Sequence, residues 1–274
     1  MPALANAEVT GSGENLGFGE GINRLVARSS ARHLIIANPD LVLEPGCGAA
    51  LVEELESRPE ALVAGGLLLD GESRVNAYGQ RLTADLLGVN TDRGALPATL
   101  GGDDTYLGPS GALFALHRDR WQERIGGPLF PRSLFLYLED VALWIKLRRA
   151  GAGIRFCPRA RALHAWSVST GQRSARKLYY VERNRLWLAR ALLGDAGALA
   201  RMPFTALRYG AYLAQGGGAG PREPGLAKAF VRALRDGWLQ PVPEDLRAYL
   251  PRGQTDALSG HFARLRDQLR NPVR

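Results

Sequence analysis

The chain has 274 residues, of which 46% are hydrophobic and 23% are charged, and its formal net charge is +8. This length and composition are typical of a soluble globular protein with one large α/β domain, alone or with a helical appendage. Its two cysteines, Cys47 and Cys157, are too few for a disulfide framework and lack metal-ligand spacing, so they favour a reducing compartment. We expect no secretory leader and no transmembrane helix, because the sequence has no apolar run of the required length and context.

The charge is distributed unevenly along the chain. Residues 1–151 hold 14 Lys and Arg against 19 Asp and Glu, whereas residues 152–274 hold 21 against 8. A basic C-terminal half is typical of proteins that bind phosphates or an anionic lipid surface, although a basic face that is merely solvated has the same excess. Nucleic acid is not predicted as a partner, because no helix-turn-helix, zinc-finger or aromatic RNA-binding pattern accompanies the charge.

The first predicted elements are a strand over 5–10 and a helix that opens in the glycine-rich stretch 15–23 and runs to about Ser29. Glycine lets a backbone approach a ligand closely, and a helix N-terminus is able to bind phosphate. The glycine spacing matches neither the dinucleotide fingerprint nor a P-loop, so this signal is weak by itself.

The segment 32–40 gives a stronger indication of a site. Four consecutive apolar residues predict a short strand buried on both faces, which ends at Asn38-Pro39-Asp40 because proline cannot continue a ladder. Asp40 is therefore expected just beyond the carboxyl end of a buried strand, where open α/β sheets bind ligands and where a carboxylate suits a divalent cation. The same tripeptide also fits an ordinary turn.

The pattern of residues 46–125 predicts further strands of the sheet and the helices between them. A helix over 46–58 precedes an apolar strand over 61–69, and this order favours parallel pairing. The polar segment 70–104 predicts a small hairpin or a flap over a site. A strand over 105–116 is interrupted by glycines at 108 and 111, which indicate a bulge or the close approach of a ligand, and a short helix over 119–125 follows.

Two carboxylates begin the next predicted helix, which runs to Arg149 and buries Val141, Trp144 and Ile145 on one face. Glu139 and Asp140 at its start are favoured by the helix dipole alone, or one of them accepts a proton from an attacking hydroxyl.

A strand over 153–163 then reaches His164, which is either structural or a metal ligand. Helices are predicted over 173–193, 199–214 and 226–239, with a flexible break at 216–224. The last two are amphipathic and basic, which is typical of helices that dock on the same protein, on a partner or on a membrane surface.

In this order, the motifs resemble those of family 2 glycosyltransferases, and the bacterial rhamnosyltransferase-like branch is the most similar. The resemblance covers about residues 5–195 and rests on the following motifs: Asn15-Leu16-Gly17-Phe18-Gly19 with Asn23, Asn38-Pro39-Asp40, Gly108-Pro109-Ser110-Gly111-Ala112, Phe135-Leu136-Tyr137-Leu138-Glu139-Asp140, His164 and Arg183-Asn184.

The resemblance implies a fold as well as a family. It implies an α/β domain over 1–195, with a GT-A-like (Rossmann-like), mostly parallel sheet flanked by helices, and a basic amphipathic helical extension over 196–274. The family's first strand-helix-strand unit has no match in this sequence. We therefore expect an incomplete nucleotide pocket and an open sheet edge with exposed apolar residues.

The resemblance also implies residue roles. Asp140 matches the catalytic base, with Glu139 beside it. Asp40 matches the last acid of the family's metal-binding Asp-x-Asp motif, and His164 matches a metal or diphosphate contact. The expected cofactor is a divalent metal, Mn²⁺ or Mg²⁺. The nucleotide-sugar-binding residues are expected to be Asn15, Gly17, Asn23, Asn38, Asp40, Gly108, Ser110, Gly111 and Arg183.

These roles predict an inverting glycosyltransferase of bacterial cell wall polysaccharide biosynthesis. It would move a sugar such as rhamnose from a nucleotide-diphosphate donor to a glycan or lipid-linked acceptor, while the metal and basic groups stabilise the leaving diphosphate. We expect it in the cytoplasm, with peripheral contact at the inner face of the plasma membrane. Two alternatives remain: a non-catalytic protein that binds nucleotide-sugar or glycan, and a membrane-surface scaffold that acts through the basic helices.

Overall fold

The computed structural model describes residues 8, 10, 11, 13–71, 73–164, 174–214, 225–253 and 256–263, with the backbone alone for 212–214. Most of the predicted strand over 5–10, and the predicted break at 216–224, lie outside the described residues. Within these ranges, no helix combines the length and the apolar character needed to cross a membrane.

The described part of the chain alternates strands and helices as far as residue 164 and is helical beyond it. The α-helices are α1 (Phe18–Arg28), α2 (Cys47–Glu56), α3 (Arg118–Arg124), α4 (Glu139–Arg149), α5 (Ala175–Leu199), α6 (Met202–Ala214), α7 (Leu226–Leu239) and α8 (Glu244–Tyr249). The strands are β1 (His33–Ala37), β2 (Leu41–Leu43), β3 (Ala61–Leu69), β4 (Val75–Ala77), β5 (Gly79–Leu82), β6 (Gly88–Asn90), β7 (Gly108–Pro109), β8 (Leu113–His117) and β9 (Gly153–His164). Short 3₁₀ helices occur at Pro97–Thr99, Asp103–Thr105, Arg132–Leu134 and Asp256–His261.

The main sheet has the strand order β1-β8-β3-β9-β2, with β4 also paired to β3. An α/β fold with helices flanking a mixed sheet is thereby confirmed. Parallel pairing is less extensive than predicted, because β3 and β9 run parallel while the other pairs of this sheet run antiparallel. The path of the chain explains the difference: it forms β4 to β7 near the carboxyl end of β3, so β8 enters the sheet from that end and runs back along β3.

The core lies on both faces of β3, all nine residues of which are buried. Along β8 the two faces alternate: Leu113 and Ala115 pack in the cluster that contains α2, and Phe114 and Leu116 pack in the cluster that contains α4. Burial on both faces accounts for the unbroken apolar sequence of β3. The predicted buried face of α4 is confirmed.

The prediction that β1 is buried on both faces is wrong. β1 is an edge strand that pairs with β8 on one side. Ile36 is 5% exposed, whereas the neighbouring Ile35 is 41% exposed. An edge strand has one neighbour fewer to cover it, which is why part of this apolar segment faces solvent.

The segment predicted as a hairpin or a flap forms a second, three-stranded sheet with the order β6-β5-β7. β5 and β6 are the predicted small hairpin. Its turn, 83–87, is closed by two hydrogen bonds: the Thr83 N–H donates to the Leu87 carbonyl, and the Leu87 N–H donates to Thr83 Oγ1. This sheet lies beside the start of α4 and carries Gln80 towards it.

The helices after β9 pack on the rest of the protein. α5 bends at Gly194, whose φ of 72° and ψ of 176° are not helical, next to the predicted domain boundary at 195. Leu246 and Tyr249 of α8 belong to the same hydrophobic cluster as Trp144 of α4. The division at 195 remains a prediction.

Candidate active site

A cavity of about 330 Å³ lies where the carboxyl end of β1, the β7–β8 loop, the β5–β6 hairpin and the start of α4 meet α5 and α6. Five predicted site residues line it together: Asn38, Ser110, Gly111, Glu139 and Asp140. The other residues of its wall that matter to the chemistry are Phe18, Gln80, Asn90, Tyr137, Lys177 and Arg208.

Asp140 is half-buried in this cavity and accepts three hydrogen bonds. Its Oδ2 accepts from Gln80 Nε2 at 2.9 Å and from the backbone N–H of Gly111 at 3.2 Å, and its Oδ1 accepts from the N–H of Val141 at 2.8 Å. A Cβ atom at position 111 would lie 2.7 Å from Asp140 Oδ2 and 2.6 Å from its Cβ. Glycine at 111 is therefore required for the backbone to donate to this carboxylate.

The neighbouring carboxyl group, Glu139, is 8% exposed, and its Oε2 has no hydrogen-bond partner in the described structure. Burial, together with the charge of Asp140, raises the pKa of Glu139 to about 8. Burial also raises the pKa of Asp140, but its hydrogen bonds from Gln80, Val141 and Gly111 oppose that shift. At neutral pH, Glu139 therefore keeps its proton, and Asp140 is the carboxylate that is able to accept one.

The loop before α4 has an unusual backbone that presents these two acids. Phe135, Tyr137 and Leu138 have φ values of 61°, 68° and 68°, a region that residues with bulky side chains rarely adopt. Asn184 of α5 donates from Nδ2 to three carbonyl oxygens of the same loop, at 2.8 to 2.9 Å. The buried amide of Asn184 thus holds the strained loop in place.

Arg183 contacts this clamp and does not line the cavity. Its guanidinium donates to Asn184 Oδ1 at 2.7 and 3.0 Å and lies 4.2 Å from the ring centre of Trp187. Because Oδ1 is occupied by Arg183, the amide NH₂ of Asn184 faces the loop. The structure thus gives Arg183 a positioning contact, and its predicted contact with nucleotide-sugar stays a prediction.

The predicted binding residues of the α1 segment also lie behind the wall of the cavity. Asn15 Oδ1 accepts from the N–H of Gly17, and a Cβ atom at Gly17 would lie 2.1 Å from the carbonyl oxygen of Phe135. Asn23 uses both ends of its amide on the backbone of Phe130. These contacts fix the start of α1 against the strained loop, and the binding role predicted for Asn15, Gly17 and Asn23 remains a prediction.

Gly108 lies beneath the cavity, where β7 crosses α4. A Cβ atom there would lie 2.2 Å from the Trp144 ring, so the glycine allows close packing of strand on helix. Ser110 is 7% exposed and donates its backbone N–H to the carbonyl of Tyr78, which fixes the loop that carries Gly111.

The predicted metal ligands Asp40 and His164 contact each other but do not line this cavity. His164 Nε2 lies 3.3 Å from Asp40 Oδ2, and its Nδ1 lies 2.9 Å from Asn76 Oδ1. With Asn76 Oδ1 as the acceptor, Nδ1 carries the proton, so a lone pair of Nε2 faces a carboxylate oxygen and a proton or a cation is needed between them. Asp40 Oδ1 and Asn38 Oδ1 are buried without a hydrogen-bond partner among the described residues. Oxygen and imidazole ligands of this kind fit a divalent cation.

Comparison with known proteins identifies relatives of the chain. No family model matches it. It is 27% identical over 203 residues to the N-acetylglucosaminyl-diphospho-decaprenol L-rhamnosyltransferase of two Mycobacterium tuberculosis strains, CDC 1551 / Oshkosh and ATCC 25618 / H37Rv. The resemblance to rhamnosyltransferase-like glycosyltransferases is confirmed. The match covers 63% of this chain and 63% of each relative, so the chain spans less than two thirds of their length.

Among solved structures, the chain is similar to the mannosyltransferase PcManGT from Pyrobaculum calidifontis, in complex with GDP-Man and Mn²⁺. The sequence identity is 14% and the TM-score is 0.44, with 82% of this chain and 68% of that chain covered.

Sequence reasoning did not identify three residues that line or support this candidate site: Gln80, Lys177 and Asn184. Lys177 on α5 lines the cavity, and burial lowers its pKa, with a smaller contribution from Arg93. Asn184 is part of a recognised motif, but the motif gave no reason to expect a clamp on the loop before α4. Gln80 has no sequence signal, because its role depends on how the second sheet packs against α4.

Proposed function

We propose that the chain is an inverting glycosyltransferase that moves a sugar from a nucleotide-diphosphate donor to a hydroxyl group of a glycan or lipid-linked acceptor. The observation that carries the proposal is the Asp140 carboxylate, which Gln80 and Gly111 hold in a cavity that is also lined by Lys177. Sequence similarity to a rhamnosyltransferase supports the same activity and favours rhamnose as the sugar and a lipid-linked diphosphate as the acceptor.

The proposed reaction is a single displacement. The acceptor oxygen attacks the anomeric carbon, its proton passes to the Asp140 carboxylate, and the bond from the anomeric carbon to the donor phosphate breaks, with inversion at that carbon. The negative charge of the leaving diphosphate is stabilised by the Lys177 ammonium group on the α5 side of the cavity. Glu139 keeps its proton and so limits the negative charge beside the donor diphosphate.

We propose that Asp40 and His164, with Asn38 beside them, hold a divalent cation, Mn²⁺ or Mg²⁺. The two buried oxygen atoms without a partner, on Asn38 and Asp40, and the close approach of His164 to Asp40 support this assignment. A bound cation would neutralise charge on the leaving diphosphate. Of these three residues, Asn38 follows the carboxyl end of β1 and lines the cavity.

We also propose peripheral contact of the 196–274 extension with the inner face of the plasma membrane. α6 and α7 expose large apolar side chains, with Phe204 at 41%, Leu207 at 47% and Val231 at 65% exposure. Exposed arginines such as Arg232 and Arg235 on α7 suit anionic headgroups. Co-sedimentation with anionic vesicles at moderate salt, but not with neutral vesicles, is the expected result.

The activity is tested by incubating the chain with Mn²⁺, nucleotide-diphosphate sugars including a rhamnose donor, and a lipid-linked N-acetylglucosaminyl diphosphate. We expect a glycosylated product with inverted anomeric configuration, formed by the wild type and not by Asp140→Asn. Donor binding without product in the wild type would favour the alternative, a non-catalytic nucleotide-sugar-binding protein. Retention of anomeric configuration would contradict the proposed single displacement.

A further inference from the structure

The end of the β1–β8 pair that lies away from the cavity holds two histidines and a glutamate. His33 and His117 are direct register partners on the two strands, with ring centres 5.0 Å apart. Glu56, the last residue of α2, places Oε1 2.7 Å from His33 Nε2 and 4.0 Å from His117 Nε2. The cavity is reached at the opposite end of the pair, about 13 Å away at 3.3 Å per strand residue, so this cluster is separate from it.

Arg120 fixes the position of Glu56. Its guanidinium donates to three backbone carbonyls around the end of α2, at 2.8 to 3.1 Å, and lies 3.6 Å from Glu56 Oε2. The other carboxylate oxygen, Oε1, faces the two imidazoles. The helix dipole disfavours a carboxylate at the C-terminus of α2. A cation beside Glu56 would be favoured both by the carboxylate and by the negative end of the dipole.

Both imidazoles face the Glu56 carboxylate through Nε2. His33 Nε2 is buried and has no hydrogen-bond partner among the described residues. A buried ring nitrogen without a hydrogen-bond partner is available as a metal ligand.

We propose that His33, His117 and Glu56 form a transition-metal site, with Zn²⁺ as the expected ion. Two imidazoles and one carboxylate suit Zn²⁺ rather than Mg²⁺, and three protein ligands leave a fourth position for water. The three ligand atoms all lie within 4.8 Å of one another. Bonds of about 2.0–2.1 Å place tetrahedral ligand atoms about 3.3 Å apart, a distance that lies between the 2.7 and 4.0 Å observed from Glu56 Oε1 to the two Nε2 atoms.

His117 has a competing structural role that the test must separate. Its Nδ1 accepts from the backbone N–H of Arg120 at 3.4 Å and so caps the N-terminus of α3. Coordination through Nε2 puts the proton on Nδ1, so this long hydrogen bond must be given up when the metal binds. An asparagine at 117 retains the capping function but has no imidazole.

The experiment titrates the metal-free full chain with Zn²⁺ in competition with a chromophoric chelator, and with Co²⁺ as an optical probe. We expect one tight Zn²⁺ per chain and the intense visible absorption of tetrahedral Co²⁺. Glu56→Gln and His117→Asn should each weaken Zn²⁺ binding by at least about 100-fold, since changes outside the ligand set already cost 10- to 100-fold. Thermal melting without metal would show that both variants are folded.

Glu53→Gln is the matched control, because it removes an exposed carboxylate from the same helix as Glu56, where Glu53 pairs with Arg159, and it should leave Zn²⁺ affinity unchanged. Failure of the wild type to bind one equivalent of Zn²⁺ would overturn the proposal. Zn²⁺ binding by Glu56→Gln and His117→Asn with wild-type affinity would overturn it as well, since the ion would then lie elsewhere.

Discussion

The molecule buries two pairs of acids in opposite surroundings. Glu139 and Asp140 at the start of α4 have no ion-pair partner among the described residues, and the pKa of each is raised by burial. Asp85, in the turn of the β5–β6 hairpin, is 1% exposed, and Glu182, on α5, is 0% exposed. Burial would raise their pKa values too, but the nearby guanidinium groups outweigh it, so the pKa of Asp85 falls to about 2 and that of Glu182 is lowered.

Two arginines account for the difference. Arg208 lies 2.9 Å from both Asp85 and Glu182, and Arg185 lies 2.8 Å from Glu182 and 3.6 Å from Asp85. Two acids and two arginines make a neutral cluster, which fastens the turn of the β5–β6 hairpin to α5 and α6. The same hairpin carries Gln80, which donates to Asp140. The ion-paired acids Asp85 and Glu182 thus help to fix the hairpin whose Gln80 donates to Asp140.

The largest expected effect comes from removing the free acid. Asp140→Asn takes away the proton acceptor, so the proposed sugar-transfer rate should fall by about 10²- to 10⁴-fold. The free energy of unfolding should change by no more than about 1–3 kcal/mol, because the amide no longer buries a charge but places its NH₂ group against an N–H donor from which the carboxylate accepted a hydrogen bond. Initial rates and urea denaturation of the same preparation measure the two quantities. A transfer rate within about threefold of the wild type would exclude Asp140 as the base.

Removing an acid from the neutral cluster should have its main effect on stability. Glu182→Gln leaves Arg208 and Arg185 with a single buried carboxylate between them, and the free energy of unfolding should fall by about 3–5 kcal/mol. Urea denaturation measures this fall. Glu53→Gln is the matched control: its ion pair with Arg159 is exposed on both sides, so we expect a change within about 0.5 kcal/mol. Equal effects of the two substitutions would contradict the structural role of the cluster.

The two pairs should also give opposite dependences of stability on pH. Glu139 has a pKa of about 8 in the folded protein and 4.5 as the reference value, so the unfolded chain releases this proton first. Its contribution to stability is complete below pH 4.5 and is lost as the pH rises towards 8. Asp85, with a pKa of about 2 against 3.8, contributes stability that is lost as the pH falls towards 2.

Glu139→Gln isolates the first of these trends. The variant should be more stable than the wild type near pH 8, by an amount on the order of 2–4 kcal/mol, and the difference should shrink towards pH 4.5. Urea denaturation at several pH values measures the difference. A stability difference that grows on acidification would contradict the raised pKa of Glu139.

The loop that presents the free acids should be sensitive to its clamp. Asn184→Asp keeps the size of the side chain but removes the NH₂ group that donates to three carbonyls, so the free energy of unfolding should fall by about 2–3 kcal/mol. Asn15→Asp is the control, because Asn15 acts as an acceptor through Oδ1 and aspartate retains that function. Urea denaturation of both variants tests whether the donor is what matters.

Local pattern predicted the elements better than their assembly. The strand over 61–69 has the predicted bounds, and α4 buries Val141, Trp144 and Ile145 as its spacing indicates. The direction of β8 was not predicted, because it depends on the path of the chain after β3 rather than on any residue within β8. The edge position of β1 was missed for the same reason, since four apolar residues do not reveal how many neighbours a strand has.

Sequence reasoning selected residues for the candidate site when the side chain itself has suitable chemistry, and their roles there remain predictions. Asp140, Glu139 and Asn38 were assigned to one site, and they do line one cavity. The left-handed backbone at Phe135, Tyr137 and Leu138 has no sequence signal, because none of these residue types favours it. It is stabilised by Asn184 from a distant helix, and that contact exists only in the folded chain.

The smallest expected effect concerns a cation that complements the free acids. Lys177 lines their cavity, no ion pair joins it to a described acid, and burial lowers its pKa, so an anionic ligand would gain from contact with it. Lys177→Met should raise the KM for the nucleotide-diphosphate donor about tenfold, a loss of about 1.4 kcal/mol, with a smaller change in kcat. Steady-state kinetics measures both. Arg176→Met is the control: it removes the same charge from the next residue of α5, which is exposed and does not line this cavity. If both variants raise KM equally, the effect comes from the overall positive charge of the basic helices. A direct contact between Lys177 and the donor would then be contradicted.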